Sequence, residues 1–168
     1  MRTLLPLTSS DVAGLACPWC GALPTRGQRG FQVVREGRPI GAVVLAPSDR
    51  DRDLCPPGAS VIERLWVAPQ DVGEHVGTQL VQRACALLAA ERARCLIAYG
   101  TRGRPDCAHL PADFLDAVGF REHVDGVQWR IELRRTLPLA PLRDAAGAAL
   151  RLVRGSGRPL PAGRVRRG

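Results

Sequence analysis

The sequence predicts a single α/β domain with a mixed central β-sheet flanked by helices. Two apolar, β-branched runs at residues 31–34 and 40–46 surround a short polar segment with Gly37, which is typical of a β-hairpin. Further along, a strand is followed at once by a strong helix and a second strand, the pattern of a right-handed crossover unit. A length of 168 residues suits one domain.

The predicted elements follow the hairpin in chain order. Residues 59–68 predict a strand that stops at Pro69, and residues 78–94 predict the longest helix because they lack Gly and Pro and have apolar positions at helical spacing. The remaining predictions are a buried strand at 95–99, a short helix at 112–118 closed by Gly119, a strand at 127–133 and an amphipathic helix at 139–153.

Four segments organise the chain. We expect a short N-terminal lobe at 1–30 that carries the motif Cys-Pro-Trp-Cys, a core at 31–135, a C-terminal helix at 136–153 and a disordered basic tail at 154–168, which is mostly Gly, Pro and Arg.

The positive charge is concentrated at the C-terminal end. Residues 1–133 hold 15 Arg and 15 Asp plus Glu, whereas residues 134–168 hold nine Arg and only Asp144, so this end carries the whole net charge of +8. Such a tail either solubilises the protein or makes weak contacts with a nucleic acid or an acidic partner. All 24 basic residues are Arg, so no lysine is available as nucleophile or base.

The sequence shows no apolar stretch of membrane-spanning length and no signal peptide at residues 1–7. Its six cysteines are therefore expected to be mostly reduced thiols. These observations predict a cytoplasmic protein with no membrane partner and leave the oligomeric state open.

The turn between the predicted strand and the long helix is the best candidate for a ligand site. It reads PQDVGEHVG at residues 69–77, with Gly73 and Gly77 before the helix. Glycines allow close approach of the backbone, and the first N–H groups of a helix lack intrahelical partners, so such a turn suits phosphate oxygens.

The segment ERLWVAPQDVGEHVGTQLVQRA, residues 63–84, resembles the acetyl-CoA segment of the Gcn5-related N-acetyltransferases. PADFLDAVGFRE, residues 111–122, resembles the short downstream helix of that family with its Gly-Phe ending. The resemblance covers about residues 38–133, and a looser one, through CPWC and ELRRTL, points to uncharacterised actinobacterial members. It implies a splayed sheet and transfer of an acetyl group from acetyl-CoA to a primary amine by direct attack.

The resemblance also implies which residues bind acetyl-CoA. The backbone of Leu65, Trp66 and Val67 would hold the pantetheine arm, with a backbone N–H near Val67 polarising the thioester carbonyl. The pyrophosphate would be held by Val72, Gly73, Glu74, His75, Val76, Gly77 and Thr78. The chain departs from the family pattern at three of its positions: Val72 replaces Gln or Arg, His75 replaces the first Gly, and Leu115 replaces a Tyr that protonates the departing thiolate.

Acetyl transfer to an amine requires a group that accepts the amine's proton. Glu63 is the candidate base, because alternation along its strand would place it on the same face as Leu65 and Val67. His109 and His123 are rivals by their ordinary pKa. Tyr99, the only tyrosine, is a candidate acid in place of the family's usual Tyr.

The motif at Cys17 and Cys20 has three interpretations. A zinc site would need two further ligands, which Cys55, Cys107 and His109 could supply only if folding brought them together. A redox pair is the second interpretation, and packing of both thiols with Trp19 in the small lobe is the third and favoured one. No metal site is therefore assigned.

Two other classes of function remain open. A non-catalytic acyl-CoA-binding or regulatory module would fit the departures at Val72, His75 and Leu115, and a nucleic-acid-associated protein would act through its basic tail. The acceptor amine cannot be named from the sequence.

Overall fold

A single eight-stranded sheet organises the chain. The computed structural model describes residues 1–49 and 55–133, and these residues belong to one compact unit. The strands are β1 (Arg2–Leu7), β2 (Arg29–Arg35), β3 (Arg38–Pro47), β4 (Ser60–Val67), β5 (Cys95–Thr101), β6 (Leu110–Pro111), β7 (Arg121–Val124) and β8 (Gln128–Glu132).

The sheet is mixed and splayed, as the sequence predicts. Its order is β1-β2-β3-β4-β5-β8-β7, with β6 pairing with the end of β5. Strands β4 and β5 run parallel but pair only at Ser60–Ile62 against Leu96–Ala98. Beyond that point β4 continues to Val67, and within the described residues no strand pairs with it on this side, so its outer edge is open.

The predicted crossover helix is α2 (Val76–Ala90), which follows the short helix α1 (Ser9–Ala13) in the chain. It begins two residues before the predicted start and ends four before the predicted end, because the chain leaves the helix at Arg92, whose φ is 59°. Its buried positions, among them Leu80 and Leu88, pack in the main core on one face of the sheet. The third helix, α3 (Ala112–Ala117), matches the predicted short helix.

The N-terminal residues extend the sheet and cover its other face. Strand β1, which sequence patterns did not predict, pairs along its length with β2. The stretch 1–30, expected as a short lobe, thus contributes an edge strand. On the face opposite α2, residues of this stretch form a second core cluster with β3, β4 and the segment after β5: Leu7, Val12, Cys17, Ala42, Val44, Trp66 and Cys107.

A β-bulge in β4 corrects the predicted face of Glu63. Val44 pairs with Arg64 while its neighbour Leu45 pairs with Ile62, so Glu63 is the extra residue. A bulge breaks the alternation of side chains along a strand. As a result Glu63 contacts the N-terminal segment, whereas Leu65 packs in the main core with α2.

The predicted helix at 136–153 and the predicted tail at 154–168 lie outside the described residues. Within the described ranges, no helix is both long and apolar enough to cross a membrane.

Candidate functional site

A cleft of about 470 Å³ lies where β4 has diverged from β5. The residues that line it come from the end of β4, the turn and helix start that follow, the segment before β6, helix α3 and the N-terminal motif. They are Trp19, Leu65, Trp66, Val67, Asp71, Val72, Gly73, His75, Val76, Gly77, Thr78, Pro105, Asp106, Cys107, Leu110, Pro111 and Phe114.

The open edge of β4 presents the backbone of alternate residues to this cleft. Ala68 N–H donates to Ile40 O at 2.9 Å, toward β3, whereas Val67 O accepts a bond from the Trp19 indole Nε1 at 2.8 Å. Because backbone groups alternate sides along a strand, Leu65 and Val67 face the open edge. The N–H and C=O of Trp66 face β3, opposite Ala42.

An ion cluster around the buried Asp71 anchors the turn after β4. Asp71 is only 1% exposed, and its carboxylate accepts from Arg35 Nη1 at 2.9 Å and from Arg38 Nη2 at 3.1 Å. Glu74 pairs with Arg35, which lowers the pKa of Glu74, and its backbone carbonyl accepts from Arg2 at 2.9 Å. The Glu74 side chain is thus engaged with arginines and does not line the cleft.

The N-terminus of α2 has the backbone geometry of an anion site. The first backbone bond of the helix runs from Gln79 N–H to His75 O at 3.0 Å, so the N–H groups of Val76, Gly77 and Thr78 precede the helical ladder. His75 caps the helix in the left-handed conformation, with φ at 60°, and makes no side-chain capping bond. The partial positive charge of the helix end adds to these donors.

Close packing inside the cleft disfavours a side chain at position 77. A Cβ atom built there would lie 3.1 Å from Phe114 Cε2 and 3.2 Å from Phe114 Cζ. Any larger residue at position 77 would therefore place its side chain against the Phe114 ring, which lines the cleft.

Glu63 holds the N-terminal segment in place. Its carboxylate accepts from Thr25 N–H at 2.6 Å, from the Thr25 hydroxyl at 2.9 Å and from Arg26 N–H at 3.0 Å. Partial burial opposes ionisation, but these donors outweigh it and hold the pKa of Glu63 below its usual value. Glu63 is not among the cleft-lining residues, and its catalytic role stays a prediction.

The other predicted acid and base residues lie in different places. Tyr99 packs beside Val61 and Ile97 on the face opposite α2 and does not line the cleft. His123 is exposed on β7. Leu115 is fully buried in the main core, close to Gly100, so this position does not reach the cleft. Its neighbour Phe114 lines the cleft instead.

The segment before β6 brings the carboxylate of Asp106 to the cleft and places His109 beside it. His109 Nδ1 lies 3.1 Å from both carboxylate oxygens of Asp106. Burial opposes ionisation of Asp106, but the N–H groups of Ala108 and His109 and the His109 ring lower its pKa. Asp106 lines the cleft, and sequence reasoning missed it because a single Asp in a loop carries no pattern.

Three thiols meet beside the cleft. Cys17 Sγ lies 2.8 Å from Cys107 Sγ, and Cys20 Sγ lies 3.6 Å from it. Burial and the two adjacent thiols raise the pKa of Cys107 to about 12, whereas a bond from Ala22 N–H lowers that of Cys20. Of the extra ligands that a zinc site would need, folding brings Cys107 to this group, while Cys55 packs elsewhere beside Cys95.

Comparison with known proteins identifies the family. Residues 10–106, more than half of the chain, match the model of the Acetyltransferase (GNAT) family. The chain belongs to this family. Among curated proteins, none matches it in sequence.

Solved acetyltransferase structures share the fold at low sequence identity. The ribosomal-protein-S18-alanine N-acetyltransferase from Escherichia coli is 14% identical, with a TM-score of 0.57 over 82% of this chain and 97% of that one. The IAA acetyltransferase from Bacillus cereus ATCC 14579 is 15% identical, with a TM-score of 0.56 over 79% and 99%. A GNAT family N-acetyltransferase from Escherichia coli in complex with CoA is 16% identical, with a TM-score of 0.50 over 65% and 61%.

Proposed function

We propose that this GNAT protein transfers an acetyl group from acetyl-CoA to a primary amine in the cleft between β4 and β5. The observation that carries the proposal is continuity: the open edge of β4 leads directly into the glycine turn and the N-terminus of α2, and all three line one cleft. Acetyl-CoA has an amide-containing arm followed by a pyrophosphate, which needs this succession of partners. The CoA complex of the similar Escherichia coli protein supports the choice of co-substrate.

The pantetheine arm would lie along β4 as an added strand. Leu65 and Val67 would supply its hydrogen bonds, because their backbone groups face the open edge. Trp66, whose backbone groups face β3, would contribute only as a residue that lines the cleft. The pyrophosphate would meet the N–H groups of Val76, Gly77 and Thr78. The segment Val72 to His75 would supply the rest of the cradle through its backbone.

The chemical step would be direct attack by the neutral amine on the thioester carbonyl. The N–H of Val67 would polarise the carbonyl oxygen as negative charge develops there. The C–N bond forms, the C–S bond breaks, CoA leaves as a thiolate, and the amine gives up one proton. We expect water to protonate the thiolate, because no Tyr is among the cleft-lining residues in the part of the chain that the structure describes.

Two groups are proposed as the proton acceptor, and substitutions can distinguish them. Glu63 was the candidate from the sequence, but its carboxylate is engaged by several donors of the N-terminal segment. His109 is not among the cleft-lining residues either, but Asp106, which lines the cleft, orients its ring, and an imidazole is a common general base.

A panel of amines tests the proposed activity. The full-length protein would be incubated with acetyl-CoA and one of three kinds of amine: peptides with free N-termini, polyamines or small aryl amines. The reaction would be followed by release of the CoA thiol and by the mass of the acetylated product. We expect turnover of at least one amine class and a loss of rate in His109→Gln that is larger than in His123→Gln, its exposed counterpart. Binding of acetyl-CoA without turnover of any amine would favour a non-catalytic acyl-CoA-binding module.

A further inference from the structure

The three cysteines beside the cleft form a site that the acetyl-transfer chemistry does not use. Cys17 and Cys20 come from the Cys-Pro-Trp-Cys turn, and Cys107 comes from the segment between β5 and β6, 87 residues after Cys20. Their sulfur atoms all lie within 4.8 Å of one another. Cysteine pairs at this spacing supply two ligands of many structural zinc sites.

We propose that Cys17, Cys20 and Cys107 bind one zinc ion that clamps the N-terminal motif to the segment before β6. Tetrahedral zinc with bonds of about 2.3 Å places its sulfur ligands roughly 3.8 Å apart. The Cys20–Cys107 separation of 3.6 Å is close to that value. The Cys17–Cys107 separation of 2.8 Å is shorter, and opening it needs only a side-chain movement of about 1 Å.

The backbone of the motif is shaped to support thiolates. Gly21 has φ of 70° and its N–H donates to Cys17 O at 2.8 Å, which closes a tight turn around the pair. Ala22 N–H donates to the sulfur of Cys20. Such bonds to sulfur orient a metal ligand and reduce its charge.

A positive side chain with an unused donor accompanies the cluster. Arg64 acts electrostatically on Cys20, and its Nε is buried without a hydrogen-bond partner among the described residues. A zinc ion with three thiolates carries a net charge of −1, which would give this guanidinium a counter-ion. Arg64 projects from the bulged part of β4, next to Glu63, so the strand that frames the cleft also adjoins the cluster.

Convergence of three sulfur atoms favours a metal over a disulfide. A disulfide would join two of the sulfurs, require an oxidant and leave the third thiol without a covalent partner. Within residues 1–49 and 55–133 no fourth Cys, His, Asp or Glu joins the group, and the rest of the sequence contains no Cys or His. The fourth position would therefore be taken by water on the exposed side of Cys20. Binding replaces three thiol protons by one Zn²⁺ and releases them to solvent.

The proposed ion would have a structural consequence for the cleft. Trp19 lies between the two cysteines of the motif, and its indole donates to Val67 O on the open edge of β4. A metal that fixes the motif would thereby fix Trp19 against the strand proposed to hold the pantetheine arm.

Metal analysis of the full-length protein tests this proposal directly. Protein produced with zinc in the medium and purified under reducing conditions without chelator should contain about one zinc per chain by mass spectrometry of the metal. Cys20→Ser and Cys107→Ser should each lower this to less than about one tenth, whereas Cys85→Ser, in α2 and outside the cluster, should retain it.

Cobalt binding keeps the test decisive if a variant fails to fold. Wild-type protein stripped by chelator and titrated with Co²⁺ should develop thiolate-to-cobalt charge-transfer bands and the visible bands of tetrahedral Co²⁺, saturating at one equivalent. Alkylation of the exposed Cys20 should be blocked by zinc and restored by chelator. Absence of both metals, retention of zinc in both serine variants, or a Cys17–Cys107 disulfide in the protein as purified under reducing conditions without chelator would overturn the proposal.

Discussion

Replacing Asp71 by Asn should destabilise the domain and weaken acetyl-CoA binding, because this buried carboxylate fixes the turn after β4. Its partners Arg35 and Arg38 come from β2 and β3, so the ion cluster ties the proposed phosphate-binding turn to the hairpin. Asn keeps the shape of the side chain and removes its charge. The change therefore tests the ion cluster without creating a cavity.

The expected loss follows from the two hydrogen bonds. Charge-assisted bonds to a buried group are worth about 1.5–3 kcal/mol each when one partner is removed. The side chains of Arg35 and Arg38 are 30% and 47% exposed and regain hydration, which lowers the loss to about 1 kcal/mol per bond. The free energy of unfolding should thus fall by about 2 kcal/mol, which corresponds to a Tm roughly 8 °C lower for a domain of this size.

Urea denaturation followed by circular dichroism measures this loss, and calorimetric titration with acetyl-CoA measures the binding. Asp125→Asn is the matched control, since Asp125 is exposed in the turn before β8 and loses the same charge. The control should remain within about 0.5 kcal/mol of wild type. If Asp71→Asn is as stable as Asp125→Asn, the ion cluster does not hold the turn and the reasoning is wrong.

Four further substitutions separate packing roles from chemical ones. Leu115→Tyr should lower the free energy of unfolding by about 1–3 kcal/mol through overpacking, with no gain in rate. Phe114→Tyr should leave stability nearly unchanged and place a hydroxyl in the cleft. Equal Tm values for the two variants in thermal denaturation would contradict the assignment of position 115 to the core. Glu63→Gln should lower stability at pH 7 by about 1–2 kcal/mol. Because the pKa of Glu63 is lowered in the folded state, this deficit should begin to shrink as the pH falls below the ordinary Glu pKa of about 4.3 and disappear once the pH is below the lowered pKa of the folded state. A 10² to 10⁴-fold fall in kcat at unchanged Tm would instead identify Glu63 as the base. His75→Gly should leave acetyl-CoA binding unchanged or tighter, since glycine adopts φ of 60° without strain; titration showing a loss above about tenfold would mean that the His75 side chain contacts the cofactor.

The sequence predicted the parts of the fold that depend on local periodicity. Apolar spacing placed α2, β4 and the hairpin within a few residues of their observed ends. Strand β1 was missed because Pro6 interrupts its apolar run, yet a proline is compatible with a strand at the edge of a sheet. Strand β7 was missed because its residues are mostly exposed and show no alternation.

The parts of the site that depend on distant partners were not predictable in the same way. The bulge at Glu63 exists only relative to β3, so strand alternation assigned this residue to the wrong face. Asp71 gave no signal because its arginine partners are more than 30 residues away in the chain. Cys107 was recognised as a conditional ligand, and only the fold shows that it joins Cys17.

The most direct test of the central claim is calorimetric titration of acetyl-CoA into the wild-type protein and Gly77→Glu. A carboxylate at this position would meet Phe114 within the cleft and repel the pyrophosphate. Gly103→Glu, which adds the same charge at an exposed position outside the cleft, is the control. The account predicts one bound acetyl-CoA per chain for the wild type and control, and affinity at least about tenfold weaker, or about 1.4 kcal/mol, for folded Gly77→Glu. No binding by the wild type, or equal binding by all three proteins, would contradict it.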